Sequence, residues 1–353
     1  VNLAELYFES LEGHANAARF TPLNKEVRFA FREVKGFDPL ELFDAASPRH
    51  HAKDGVALRA FLDFRAELAR RLQEDWIGRI DRMRRGNRSL DLVLTHVDDR
   101  FDTGMRDRIG ADAAKLLPLT ERHDFTFLVE DPATVWHLGP QRYPQIAERY
   151  RPIAPRPDRL AIDINIVERY QDVYPTKRQT GAELFQLVHV ASRAFPRVAL
   201  YFENSIQPPD LPLLASAAAV ADRLERNGAR LVVDSPRGIG VPWSGPALVN
   251  GRLWPATDGN TVWLPPGTHA IEAAAAPPRL RLVDFNGELR TAAALADGIE
   301  FSYQSASRAL AVMEIKPARL EVDGEGATIE GIDGAAGFVL FLPRGQHVVT
   351  VRE

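Results

Sequence analysis

The sequence predicts an α/β protein, with a (β/α)8-type barrel over residues 1–228 followed by an all-β sandwich over residues 229–353. Three observations carry this expectation. Apolar, β-branched runs at 89–99 (SLDLVLTHVDD), 124–131 (DFTFLVED), 159–167 (RLAIDINIV) and 197–205 (RVALYFENS) recur about every 35 residues. Each is followed by a segment of helical character, and apolar strands alternating with helices imply a parallel sheet under a helical layer. After residue 229 the texture turns to short strands broken by glycine and proline, the pattern of a sandwich.

Taken in order, ELYFES (5–10) reads as the first strand, and VRFAFREV (27–34) as an extended piece inside an enlarged loop punctuated by Pro22, Gly36, Pro39 and Pro48. The segment from Val56 to Met83 reads as a long helix. TGAELFQLVHVASRAF (180–195) has Leu184, Leu187, Val188 and Ala191 at helical spacing, and LPLLASAAAVADRLERNG (211–228) reads as a helix closed by Gly228. Five strands are secure on this count, three short of closure. Recruitment of VRFAFREV and RLVVDSP, or units upstream of Val1, would supply the rest.

Two repeats stand out. Leu-Tyr-Phe-Glu followed by a small polar residue occurs at Leu6–Ser10 and again at Leu200–Asn204. Leu-Pro-x-Gly-x-His occurs at Leu264–His269 and Leu342–His347, each time after an ARLxVD strand, and reads as a hairpin turning on Gly267 or Gly345. The hairpin accounts for both histidines without a metal.

Composition narrows the function classes. With 353 residues, 45% of them hydrophobic and 26% charged, the chain can bury a large core and divides naturally into two domains. A net charge of −4 gives no basic footprint for nucleic acid, and Arg82, Arg84, Arg85 and Arg88 read as the solvated end of a helix. The absence of cysteine excludes disulfides, thiolate catalysis and cysteine metal sites. The longest apolar stretch, LASAAAVADRL (214–224), is broken by charge well short of the ~20 residues a bilayer span needs, so no membrane span is expected. The first residues lack the layout of a signal peptide, and Val1 leads straight into a strand-like run, as in a processed or truncated piece.

Alternate residues of a strand share a face. This groups Glu5, Tyr7 and Glu9; His96 and Asp98; Thr126, Leu128 and Glu130; Ala161, Asp163 and Asn165; and Ala199, Tyr201 and Glu203. With the aliphatic faces against helices, the polar faces would line the barrel and make an acidic mouth of Glu9, Asp98, Glu130, Asp163 and Glu203. The bland alternative is that each carboxylate caps the next helix or binds an arginine. The candidate catalytic residues are Glu9, Asp163, Glu203 and Glu130. The candidate substrate-binding residues are Tyr7, His96, Asp98, Trp136, Asn165 and Tyr201, with Tyr143 as a further ring for sugar stacking.

Acidic strand ends, the segment GFDPLELFD (36–44), the helix with FLDFRAELARRL and the trailing sandwich together resemble the glycoside hydrolases with a (β/α)8, or TIM, catalytic barrel. The resemblance covers about residues 1–228 and rests on architecture. It implies hydrolysis of a polysaccharide or oligosaccharide by paired carboxylates, with no cofactor and no metal. With ELYFES as the fourth strand, it implies Glu9 as acid/base and Asp163 as nucleophile. Two positions depart from that pattern: Phe8 stands where the family has Asn before its Glu, and Asp163 stands in place of Glu. A degenerate barrel that binds carbohydrate without cleaving it is the second expectation. A metal-dependent polysaccharide deacetylase, suggested by THVDD (95–99), is the third, although no histidine pair at helical spacing follows Asp99. The expected partner is a carbohydrate, and a polysaccharide substrate would favour a periplasmic or extracellular location.

Overall fold

The computed structural model describes residues 1–10, 12–86, 90–166, 180–201 and 203–353. Readings that fell on Arg88, Val167 and Phe202 lie outside them. The chain forms two compact units, the first built on Val1–Asn165 and residues 190–201, the second on residues 180–189 and Glu203–Glu353.

In the first unit, among the described residues, five strands form a curled parallel sheet in sequence order: β1 (Asn2–Leu3), β2 (Val93–Val97), β3 (Thr126–Glu130), β4 (Leu160–Asn165) and β5 (Val198–Tyr201). The helices are α1 (Lys25–Lys35), α2 (Gly55–Arg84), α3 (Met105–Ile109), α4 (Ala113–Leu116) and α5 (Arg142–Tyr150), together with the end of α6 (Ala182–Ala194) from Val190 on. Each strand pairs with its neighbour in sequence, β4 and β5 in parallel with Asp163 opposite Ala199. The sheet has five strands rather than eight, which overturns the closed barrel and the glycoside hydrolase resemblance that rested on it.

One face of this sheet carries Leu94, Phe127, Val129, Leu160, Ile162 and Ile164, all buried. Such a face is stable only under cover, and the Tyr150 ring of α5 packs on it beside Phe127. Helix α2 starts where the Asp54 side chain accepts the amides of Val56 and Ala57. It buries Leu62, Ala66, Ala69, Gln73, Ile77 and Ile80 at intervals of three and four.

ELYFES does not form a strand. Sheet pairing ends at Leu3, Glu5 turns to φ 56°, and residues 6–10 run as a strap along α2 and α3. Its backbone groups are satisfied elsewhere. The amides of Phe8 and Ser10 donate to the carbonyls of Ile109 and Arg108, while Gln73 donates to the carbonyl of Leu6 and Arg65 to that of Phe8. Tyr7 and Phe8 pack against Val97, Met105 and Ile109, so the apolar alternation is consumed without a ladder.

VRFAFREV is helical, not extended. It lies in α1, bounded by Asn24 and by Gly36 in the left-handed region, and only Phe31 of its apolar residues is fully buried while Phe29 is 62% exposed. GFDPLELFD folds as a short 3-10 helix, Pro39–Phe43, with Asp38 and Glu41 making a reciprocal capping box.

The second unit is a β-sandwich-like region of antiparallel sheets around a core that includes Val233, Trp254, Ile271, Phe301, Tyr303 and Leu340. It begins with α7 (Leu211–Ala217). The single helix expected to Gly228 stops at Ala217, and Arg223–Asn227 is instead a strand paired with Arg230–Ser235. Gly228, at φ 61°, opens the two-residue turn Gly228-Ala229 between them, and that glycine is the turn signal that the alanine-rich stretch masked.

The Leu-Pro-x-Gly-x-His repeats are not hairpins. Strand Thr261–Leu264 pairs with Ile239–Pro242, whereas Gly267–Ala273 pairs with Arg230–Ser235 in another sheet. Gly337–Leu342 and Gly345–Arg352 are separated in the same way. Each motif is a corner between sheets, with the histidine Nε2 3.0 Å from the carbonyl of Pro265 or Arg344. No helix among the described residues is long and apolar enough to cross a membrane.

Candidate functional site

The register of the parallel sheet places Val97, Glu130, Asp163 and Ala199 in one row across β2 to β5. Adjacent strands run ~4.8 Å apart, so the Glu130 and Asp163 side chains rise side by side from the same face at the carboxyl ends of their strands. Thr95, Thr126, Leu128, Ala161, Asn165 and Tyr201 share that face by alternation.

The acidic pair is built into an environment that opposes ionisation. Burial, then the neighbouring Asp163, Asp131, Glu5 and Glu9 carboxylates, push Glu130 up to about 7. Asp163 is only 6% exposed, and burial and Asp131 push it up to about 7 as well. Its Oδ1 is buried and meets no hydrogen-bond donor. Two coupled groups of this kind lose their protons in steps that belong to the pair.

Around the pair lies a braced frame. Asp131, buried behind Glu130, accepts from Arg142 Nε and from Asn165 Nδ2 at 3.1 Å. Arg142 also donates to the carbonyl of Gly139 and to the Tyr143 hydroxyl, each at 2.7 Å. Burial works to raise the Asp131 carboxyl and Arg142 works against it. Trp136 Nε1 donates to the carbonyl of Asp131. Trp136 and Asn165 therefore both fasten the strand end next to Glu130. Tyr7 reaches the group from the strap, its hydroxyl pushed well up by burial and by Glu130, Glu9 and Glu5.

Other candidates fall elsewhere. His96 lies in the row of Val129 and Ile162, on the helix-covered face, with its ring 5.3 Å from Phe127. That corrects its expected place in the mouth, because the row that holds Glu130 contains Val97. Asp98 is fully buried, and its carboxylate accepts the amides of Arg100, Phe101 and Asp102, which makes it the brace of the loop after β2. Burial would raise Asp99, but His96 at 3.3 Å and Arg100 at 2.7 Å hold its carboxyl below the usual range.

Glu9 is exposed on the strap, close enough to Glu130 to raise it. Tyr201 ends β5 at 58% exposure, and Glu203 is exposed at the start of a 3-10 turn, Glu203–Ser205, in the second unit. Leu6 and Tyr7 lie on the strap whereas Leu200 and Tyr201 end β5, which removes the premise that Glu9 and Glu203 stand in equivalent frames. Sequence reasoning overlooked Asp131 and Arg142, and it grouped Glu5 with Tyr7 and Glu9 without counting it among the acids of the mouth. Asp131 was visible as the second acid of LVED, whereas nothing in the sequence tied Arg142 to it.

The THVDD side chains are turned to separate structural tasks, and no group of three metal-ligating side chains converges among the described residues. No protein-family model matches the chain, and no curated protein matches it.

Proposed function

We propose that the carboxyl end of the parallel sheet binds a carbohydrate and that Glu130 and Asp163 carry acid/base chemistry on it, cleaving a glycosidic bond. The side-by-side pair, with both groups poised near neutrality, is the observation that supports this reading. Glycoside hydrolysis needs one protonated and one ionised carboxyl at the same pH. Glu130 and Asp163, both pushed up to about 7, meet that need through burial and neighbouring acids, Asp163 and Asp131 acting on Glu130 and Asp131 acting on Asp163. Exposed Glu9 and the Tyr7 ring border the pair.

The test is release of reducing ends from a panel of polysaccharides. Wild-type protein is expected to cleave at least one, with a bell-shaped pH profile centred near 7, and Glu130→Gln and Asp163→Asn are each expected to lower the rate ~10²-fold or more. Unchanged cleavage in both variants would contradict the assignment.

One observation favours binding without cleavage as a second reading. Asp163 is only 6% exposed, which leaves its carboxyl little access to a sugar carbon, whereas the neighbouring-strand spacing of the pair argues only against inverting hydrolysis at ~6.5–9.5 Å and not against retention at ~5–5.5 Å. Retention of a polysaccharide on affinity gels with no release of reducing ends would decide for it.

A further inference from the structure

We infer that the ligand of this site carries a protonated amine, so that the carbohydrate is an amino sugar polymer bearing free ammonium groups rather than a neutral or acetylated one. The inference rests on the carbohydrate reading above in its form of binding without cleavage, because an ammonium held by Glu130 and Asp163 keeps both ionised, and it names the ligand class.

Glu130 and Asp163 share a row on one face, and Glu5 and Glu9 lie near enough to act on Glu130 through their charge. Among the described residues, no lysine or arginine forms an ion pair with any of these four acids, although arginine pairs brace the acids around them, Arg142 on Asp131 and Arg100 on Asp99 and Asp112. Asp163 is more than nine-tenths buried, and its Oδ1 has no donor. A buried polar oxygen without a partner is costly, so the site is complementary to something that brings donors.

An ammonium brings three donors and no acceptor, together with a charge of the opposite sign. A hydroxyl brings one donor and leaves the repulsion between the acids in place. An acetamido group brings one N–H, an acceptor oxygen and a methyl. A divalent cation needs several converging ligands, and no group of three converges among the described residues.

The experiment is isothermal titration calorimetry at neutral pH with glucosamine oligomers and with fully N-acetylated oligomers of the same length. Wild-type protein is expected to bind the glucosamine oligomer at least tenfold more tightly. Asp163→Asn, with its fold checked by circular dichroism, is expected to lose most of that preference, and Glu130→Gln provides the same comparison if Asp163→Asn does not fold. Equal affinities, or tighter binding of the acetylated oligomer, would overturn the inference and leave the carbohydrate reading standing. A preference unchanged in both variants would also overturn it, by showing attraction to the acidic surface at large. Failure of both oligomers to bind would overturn the inference and the carbohydrate reading together.

Discussion

At the scale of single residues, the site turns on what happens when a carboxyl is buried beside another. Asp163 and Glu130 are raised in the folded state above their ordinary values, so the folded form holds protons that the unfolded chain releases. Their contribution to stability is therefore fully present below about pH 4 and is lost as pH rises through about 7. Asparagine cannot ionise. Asp163→Asn is expected to be near neutral at pH 4 and to stabilise the fold relative to wild type by a few kcal/mol above pH 7, read from urea denaturation across that range. A difference between the two proteins that does not change with pH would count against the raised Asp163. Asp99 shows the opposite case, since His96 and Arg100 keep it ionised despite deeper burial.

At the scale of elements, the strap of residues 5–10 shows how apolar alternation can mislead. Its pattern matches a strand, but Glu5 leaves the sheet and the remaining backbone groups are taken by α2, α3 and their loops. Arg65 is the principal clamp, fully buried, donating to the carbonyls of Phe8, Thr21 and Asp107 at 2.7–2.8 Å and stacking 4.1 Å from the Phe20 ring. Arg65→Met keeps the apolar stem but strands three carbonyls, and it is expected to cost ~3 kcal/mol or more in chemical denaturation. A loss under ~1 kcal/mol would show that the strap is held by its apolar contacts alone.

Strands β2 to β5 and helices α2 and α6 were legible in the sequence because their apolar spacing is long and their ends are punctuated. Helix α1 was not, since Val27, Phe29 and Phe31 alternate like a strand and only the left-handed stop at Gly36 decides the matter. His96 was assigned to the wrong face because alternation within a strand says nothing of which parity meets the neighbour's. Only the register, with Val97 opposite Glu130, settles it.

At the scale of the whole molecule, periodicity revealed repeated βα units but not how many strands the sheet contains. Five pair in order, and the row they share at their carboxyl ends brings together acids that are 33 residues apart in sequence. Burial and neighbouring carboxylates at the end of this sheet hold Glu130 and Asp163 near neutrality. Carbon-detected NMR titration of the side-chain carboxyls, assigned through Glu130→Gln and Asp163→Asn, tests it most directly. The account predicts two coupled steps with midpoints around pH 7, and a fall in the midpoint of Glu130 when Asp163 is replaced. Independent titration of both carboxyls at about pH 4, as for exposed acids, would contradict it.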